Sequence, residues 1–257
     1  MGKIYFASDF HLGIDVKYTS KEREKQIVAW LDSIKDDAEQ IYLVGDLFDF
    51  WFEYKRVVPK GYVRLLGKLA ELSDAGIKLF FFTGNHDMWL FKYFEKELNI
   101  PTYRAPIVKE IKGKKFYIGH GDGLGPGDHG YKFIKTVFNN PLCQWLFARL
   151  HPNFGITLAN FCSGTSRGSS KDENKFLGPE KEWLIQFCED KLPKTDVDYF
   201  IFGHRHLPID YLLSNGKSRY VNIGDWMNYN SFAVFDGQTL RLDFYQNDEP
   251  IIHGNQS

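Results

Sequence analysis

Long apolar runs are missing from this 257-residue sequence. No stretch reaches the roughly 18 consecutive apolar residues that a bilayer-crossing helix needs, so none is expected. Cysteine is scarce: Cys143, Cys162 and Cys188 are odd in number and none forms a C-x-x-C pair. They read as reduced thiols of a reducing compartment. Charge of one sign is also lacking. The 32 Lys and Arg residues against 33 Asp and Glu leave a formal net charge of -1, which argues against bulk binding of nucleic acid. The opening MGKIYFASDF has no charged segment followed by a long apolar one, so no signal peptide is expected. A cytoplasmic protein is expected, with peripheral contact to a membrane left open.

What the chain has in quantity is aromatic residues: 17%, made up of 23 Phe, 14 Tyr and 6 Trp. Large apolar rings suit a thick core and an apolar ligand site alike. The length allows one large domain or one domain with an insertion.

Over the first 120 or so residues, strands alternate with helices. Residues 3–8, 40–45, 77–83 and 115–120 are short apolar runs of strand length. Between the first two, Ile27, Trp30, Leu31 and Ile34 share one helical face; between the second and third, Tyr62, Leu65, Leu66 and Leu69 do the same. Gly76 supplies a helix stop. The rhythm changes over 124–176, where a Gly-rich loop leads into apolar helices broken near Pro141 and Pro152. Strands return at 198–204, 218–226, 231–236 and 239–245, after a helix with Pro179 near its start. The pattern predicts an α/β catalytic domain over 1–123 and 177–257, with a helical cap inserted over 124–176. The basic stretch 109–117 reads as a solvated β-hairpin.

Five strands close on polar clusters: Asp9-Phe10-His11, Gly45-Asp46-Leu47-Phe48-Asp49, Gly84-Asn85-His86-Asp87, Gly119-His120-Gly121-Asp122 and Gly203-His204-Arg205-His206. In open α/β sheets ligands gather at the carboxyl ends of strands, so the five clusters converge on one place. Carboxylates with imidazoles are a donor set for Mn, Fe or Zn. Any one cluster alone is weak, since a single histidine beside a strand is more often structural. Five in order, using five of the eight histidines, predict a metal centre.

These clusters resemble the D-x-H, G-D-x-x-D, G-N-H-D/E, G-H and G-H-x-H motifs of the calcineurin-like metallophosphoesterase superfamily. The resemblance implies a β-sandwich flanked by helices and two divalent cations, Mn2+ being the first expectation with Fe, Zn and Mg open. It places one cation on Asp9, His11, Asp46 and His206 and the other on Asp46, Asn85, His120 and His204, with Asp46 bridging. His86 would stabilise the transition state or protonate the leaving oxygen, oriented by Asp87. Asp49 would support the ligands or touch a cation.

A narrower resemblance, through GDLFDFW at 45–51 and HGD at 120–122, is to the UDP-2,3-diacylglucosamine hydrolases of lipid A synthesis. It implies an acylated nucleotide-sugar substrate, a peripheral position on the inner membrane, and an acyl site in the cap among Phe133, Val137, Phe138, Trp145, Leu146, Phe147 and Leu150. Lys132, Lys135 and Arg149 would face headgroups. Tyr131 and the segment with Arg167, Ser170 and Lys171 would bind sugar and diphosphate. The best-known branch of that family carries Arg where this chain has His86, which leaves the metal centre intact and the exact substrate open; the rivals are a phosphoesterase of another nucleotide or lipid phosphate and, separately, a non-catalytic scaffold of the same fold.

Overall fold

The computed structural model describes residues 2–126, 129–159, 175–247 and 250–254. Their strands form two sheets. The first has the order β11-β10-β1-β2-β3-β4, from β11 (Leu240–Phe244), β10 (Ser231–Phe235), β1 (Lys3–Ala7), β2 (Ala38–Val44), β3 (Lys78–Phe82) and β4 (Thr102–Tyr103). The second has the order β5-β6-β7-β9-β8, from β5 (Ile107–Ile111), β6 (Lys114–Ile118), β7 (Tyr199–Phe202), β9 (Arg219–Ile223) and β8 (Pro208–Leu212).

Strand alternation explains the sandwich. Ile4 and Phe6 of β1, Tyr42 and Val44 of β2, and Phe82 of β3 point at the second sheet and meet Phe116, Ile118, Ile201, Val221 and Ile223. The intervening Tyr5, Ala7, Ile41, Leu43, Leu79 and Phe81 face the helices. Both faces are covered, so β3 tolerates three consecutive phenylalanines.

Helices α1 (Ser20–Ile34) and α2 (Val63–Asp74) close the outer face of the first sheet through Ile27, Trp30, Leu31, Leu65, Leu69 and Leu72. A capping box of Thr19 and Glu22 starts α1. Gly76, at φ 87°, ends α2 in the conformation glycine favours. A short helix, α3 (Tyr93–Glu97), leads into β4.

After β6 the chain leaves the sandwich. The expected breaks fall where the prolines stand: α4 (His129–Asn139) gives way to α5 (Pro141–Phe147), and a further helical segment covers 152–159. Phe147 packs on Phe52 and Trp89, joining this cap to the body. The helix expected from Pro179 begins later, because Pro179–Lys181 forms a separate 3-10 turn before α6 (Trp183–Lys191). Helix α6 covers the second sheet with Leu184, Ile185 and Cys188. The hairpin read over 109–117 is β5–β6, turning at Lys112 and Gly113.

Candidate metal centre

Strands β1, β2 and β3 run parallel in one sheet, and β6, β7 and β9 run parallel in the other. Their carboxyl ends therefore share one edge of the sandwich. Asp9 and His11 follow β1, Asp46 and Asp49 follow β2, Asn85 and His86 follow β3, His120 follows β6, and His204 and His206 follow β7. The loops are cross-linked by Asp9 N–H to Gly45 O (3.0 Å) and His11 N–H to Asp46 O (3.0 Å).

The donor atoms gather at this edge. His11 Nε2 stands 3.3 Å from His206 Nε2, and His206 Nε2 is 3.2 Å from Asp9 Oδ1. On the other flank His120 Nε2 lies 3.1 Å from Asp46 Oδ2 and 3.3 Å from Asn85 Oδ1. Donor atoms of Asp9, His11 and His206 lie within 4.8 Å of one another, and so do those of Asp46, His120 and His204. His86 stands close enough to His11 and Asp46 to form a third such group.

The fit to cations rests on two observations. Asp46 Oδ2 is buried and accepts no hydrogen bond, although His120 Nε2 is 3.1 Å away on one side and His11 Nε2 is 3.8 Å away on the other. A buried carboxylate oxygen without a donor is costly, and a bridging position between two cations removes that cost. Glycine backbone also packs closely against both carboxylates of the cluster. A Cβ on Gly84 would collide with the Asp46 carboxylate, and one on Gly203 would collide with Asp9.

Protonation follows from the same crowding. Burial alone would raise the carboxyls of Asp9 and Asp46, yet His206 and His11 around the first, and His120 and His86 around the second, hold both well below the usual range. Burial works against His206, but Asp9 and Asp225 push its imidazole up to about 10. Burial and the neighbouring His120 push His204 down to about 4. Burial and the Asp46 charge push Asp87 up to about 7.

Behind the ligands stand residues that aim them. His120 Nδ1 is 2.8 Å from Val44 O, and His206 Nδ1 faces Asp225 Oδ2 at 3.5 Å. Asp49 Oδ1 faces His11 Nδ1 at 3.5 Å, the ring nitrogen opposite the one in the cluster, so it supports a ligand.

The expectation for Asp87 needs correction. Its carboxylate accepts from the backbone N–H groups of Gly84 (2.7 Å) and Leu47 (2.8 Å), tying the β3 loop to the β2 loop. The His86 ring is held instead by Asp49, whose carbonyl oxygen is 2.9 Å from Nδ1.

Arg23 was not legible in the sequence. Buried in α1, it donates to the carbonyls of Phe10 (2.7 Å), His11 (2.7 Å), Ile14 (2.8 Å) and Tyr18 (3.3 Å), clamping the first loop. On a charged helix it carries no distinguishing signal. Similarly, Arg205 pairs with Glu182 through both carboxylate oxygens (3.1 and 2.9 Å), fixing the His204–His206 turn.

Among the substrate candidates, Tyr131 reaches the centre. Its hydroxyl donates to Asp122 (2.6 Å), and its ring centroid is 6.4 Å from that of His204. Arg167, Ser170 and Lys171 lie outside the described residues. Of the basic cap residues, Lys135 turns to the body, whereas Arg149 is exposed. Lys135 donates to Asp122 of the body, Lys132 donates to Gly125 O in the loop that opens the cap, and Arg149 lies over the Trp145 ring.

Residues 2–208 match the calcineurin-like phosphoesterase family. The chain belongs to that family, a class of metal-dependent phosphoesterases. Among curated relatives, a UDP-2,3-diacylglucosamine hydrolase of Porphyromonas gingivalis is 42% identical over 96% of this chain and 99% of its own. A UDP-2,3-diacylglucosamine hydrolase of a Shewanella species is 29% identical over 92% of this chain and 94% of its own. A phosphoesterase from E. coli of known structure aligns over 93% of this chain and 90% of its own, with 16% identity and a TM-score of 0.45.

Proposed function

We propose that the protein hydrolyses the diphosphate of UDP-2,3-diacylglucosamine, giving UMP and 2,3-diacylglucosamine 1-phosphate. The observation that carries the reading is the near end-to-end relationship, at 42% identity, to the Porphyromonas hydrolase. The cap supports it. Phe133, Leu142 and Trp145, 70%, 63% and 53% exposed, leave an apolar surface that a small soluble substrate would not need.

Asp9, His11, Asp46 and His206 would hold one divalent cation, and Asp46, Asn85, His120 and His204 the other, with Mn2+ the first choice. Such a pair activates water and neutralises phosphoryl oxygens during in-line displacement. The chain supplies the geometry: Asp46 sets the spacing, and Asp49 and Asp225 orient His11 and His206. His86 is the group at the mouth. Its Nδ1–H is committed to Asp49 O, so proton exchange with the substrate falls to Nε2. Tyr131 and Lys135, already gathered on Asp122, stand where a phosphoryl or sugar oxygen of the substrate could take over one of their hydrogen bonds. The protein works at the cytoplasmic face of the inner membrane as a peripheral enzyme; no described helix is long and apolar enough to cross a bilayer, and the apolar cap faces outward.

The test is UMP release by purified protein with Mn2+, comparing UDP-2,3-diacylglucosamine with plain UDP-sugars and simple phosphodiesters. Preferred turnover of the acylated substrate is expected. Brisk cleavage of simple esters with none of the acylated substrate would overturn the reading.

A further inference from the structure

Helix α4 is tied to the body at both ends, and each tie reaches a loop of the metal centre. Near its start Tyr131 and Lys135, one helical turn apart, converge on buried Asp122, two residues beyond His120. At its end the Phe138 carbonyl, left over at the last turn, accepts the indole N–H of Trp89 at 2.8 Å. Trp89 stands three residues beyond His86 and is nearly buried. Its ring packs on Phe52, Phe138 and Phe147, with centroids 5.1, 5.2 and 4.7 Å away.

The backbone around Trp89 is fixed from below. Trp89 O accepts from Glu53 N–H, His86 O accepts from Trp51 N–H, and Arg104 donates to Met88 O and Leu90 O. The loop is therefore the rigid partner and the cap corner is the element being held. Gln144 also donates to Phe138 O (2.9 Å), but that bond lies inside the cap and ties it to nothing else.

We infer that Trp89 is a positioning residue that latches the α4–α5 corner of the cap to the loop presenting Asn85 and His86, and so sets specificity for an acylated over a small substrate. A substrate held by the cap reaches the metals in register only if the cap is registered to their ligands. A small ester would need the metal centre alone and does not depend on the latch. The choice of acylated substrate rests on the function proposed above; the latch itself rests on the contacts.

Trp89→Phe keeps the ring packing and removes the N–H. With Mn2+-loaded protein, kcat/KM for UDP-2,3-diacylglucosamine should fall about tenfold, the effect of one lost buried hydrogen bond. Turnover of the phenyl ester of UMP should stay within about twofold. Backbone hydrogen exchange should quicken over 136–147 and remain unchanged in β1–β3. Gln144→Leu should leave both rates within about twofold. An equal fall on both substrates together with a lowered Tm would make Trp89 a packing residue only. Unchanged exchange at the corner, or unchanged discrimination between substrates, would also overturn the inference. If the unmodified protein leaves the acylated substrate intact while Trp89→Phe still loosens the corner, the latch stands and the proposed function fails.

Discussion

Replacing His86 by Ala separates proton transfer from metal binding, because the ring is pinned by Asp49 O at 2.9 Å and is not needed to complete either of the two donor groups assigned to cations. Burial pushes the His86 imidazole below its ordinary value, with the nearby Asp46 opposing. The acid form is therefore a minor species at neutral pH, and its benefit depends on how much the leaving oxygen needs a proton. A phosphate monoester, with a second pKa of about 6, leaves readily without one. A phenoxide, with a pKa of about 10, does not. Loss of His86 should thus cost roughly 10²–10⁴-fold in kcat on the phenyl ester of UMP, the usual range for acid catalysis. On UDP-2,3-diacylglucosamine it should cost only about tenfold. The rate ratio of unmodified protein to His86→Ala on the phenyl ester should decline as pH rises, a fall already under way below the ordinary imidazole value because burial disfavours the acid form. The assay is steady-state UMP release across pH 5.5–8.5 (roughly the span in which a histidine titrates), with bound metal measured in parallel. Equal losses on both esters would refute proton donation by His86. Loss of metal would refute its exclusion from the ligand set.

Arg23→Met should leave the carbonyls of Phe10, His11 and Ile14 without a donor, while Tyr18 O keeps the Val16 N–H, and cost about 3 kcal/mol or more, read as a fall in Tm on the order of 10 °C; a change within a degree or two would refute the clamp. Gly84→Ala should displace Asp46 and abolish binding of two cations per chain, read by elemental analysis of the purified protein. Mn2+ loading of the metal-free protein should release protons near pH 7.5, because Asp9 and Asp225 push His206 up to about 10 and it must lose its proton to ligate. Calorimetry in buffers of different ionisation enthalpy reads this directly, and identical heats in all buffers would contradict it. Metal affinity should accordingly weaken as pH falls.

The sequence carried the strands and the donor set because both depend on local pattern. The apolar runs of β1, β2, β3 and β7 are buried on both faces, and their clusters sit at the first residues beyond them. Strands β4 and β8 were missed, and both are sheet edges. A two-residue strand, and one that opens on Pro208, give little periodic signal. Likewise Asp87, adjacent in sequence to His86, was taken for its partner, whereas the ring is held by Asp49, 37 residues away. Arg23 shows the same limit. Its value lies in four carbonyls of another loop, and nothing on its own helix distinguishes it from a solvated arginine.

The ligand residues also oppose local propensity. Asp9, His11, Asp46, His204 and His206 all have positive φ, between 44° and 68°. Each non-glycine residue in that region costs on the order of 1–2 kcal/mol, so an isolated loop would not settle there. They persist because neighbouring groups over-determine the loops. Arg23 clamps the first, Asp87 joins the second to the third, and the Arg205–Glu182 pair fixes the fifth. Those three groups were assigned no such support by motif, yet each holds a loop whose ligand would otherwise relax away from the cluster. The motifs therefore name the candidate donors, while the geometry that gathers them around Asp46 is set by buried arginines and carboxylates one layer behind them.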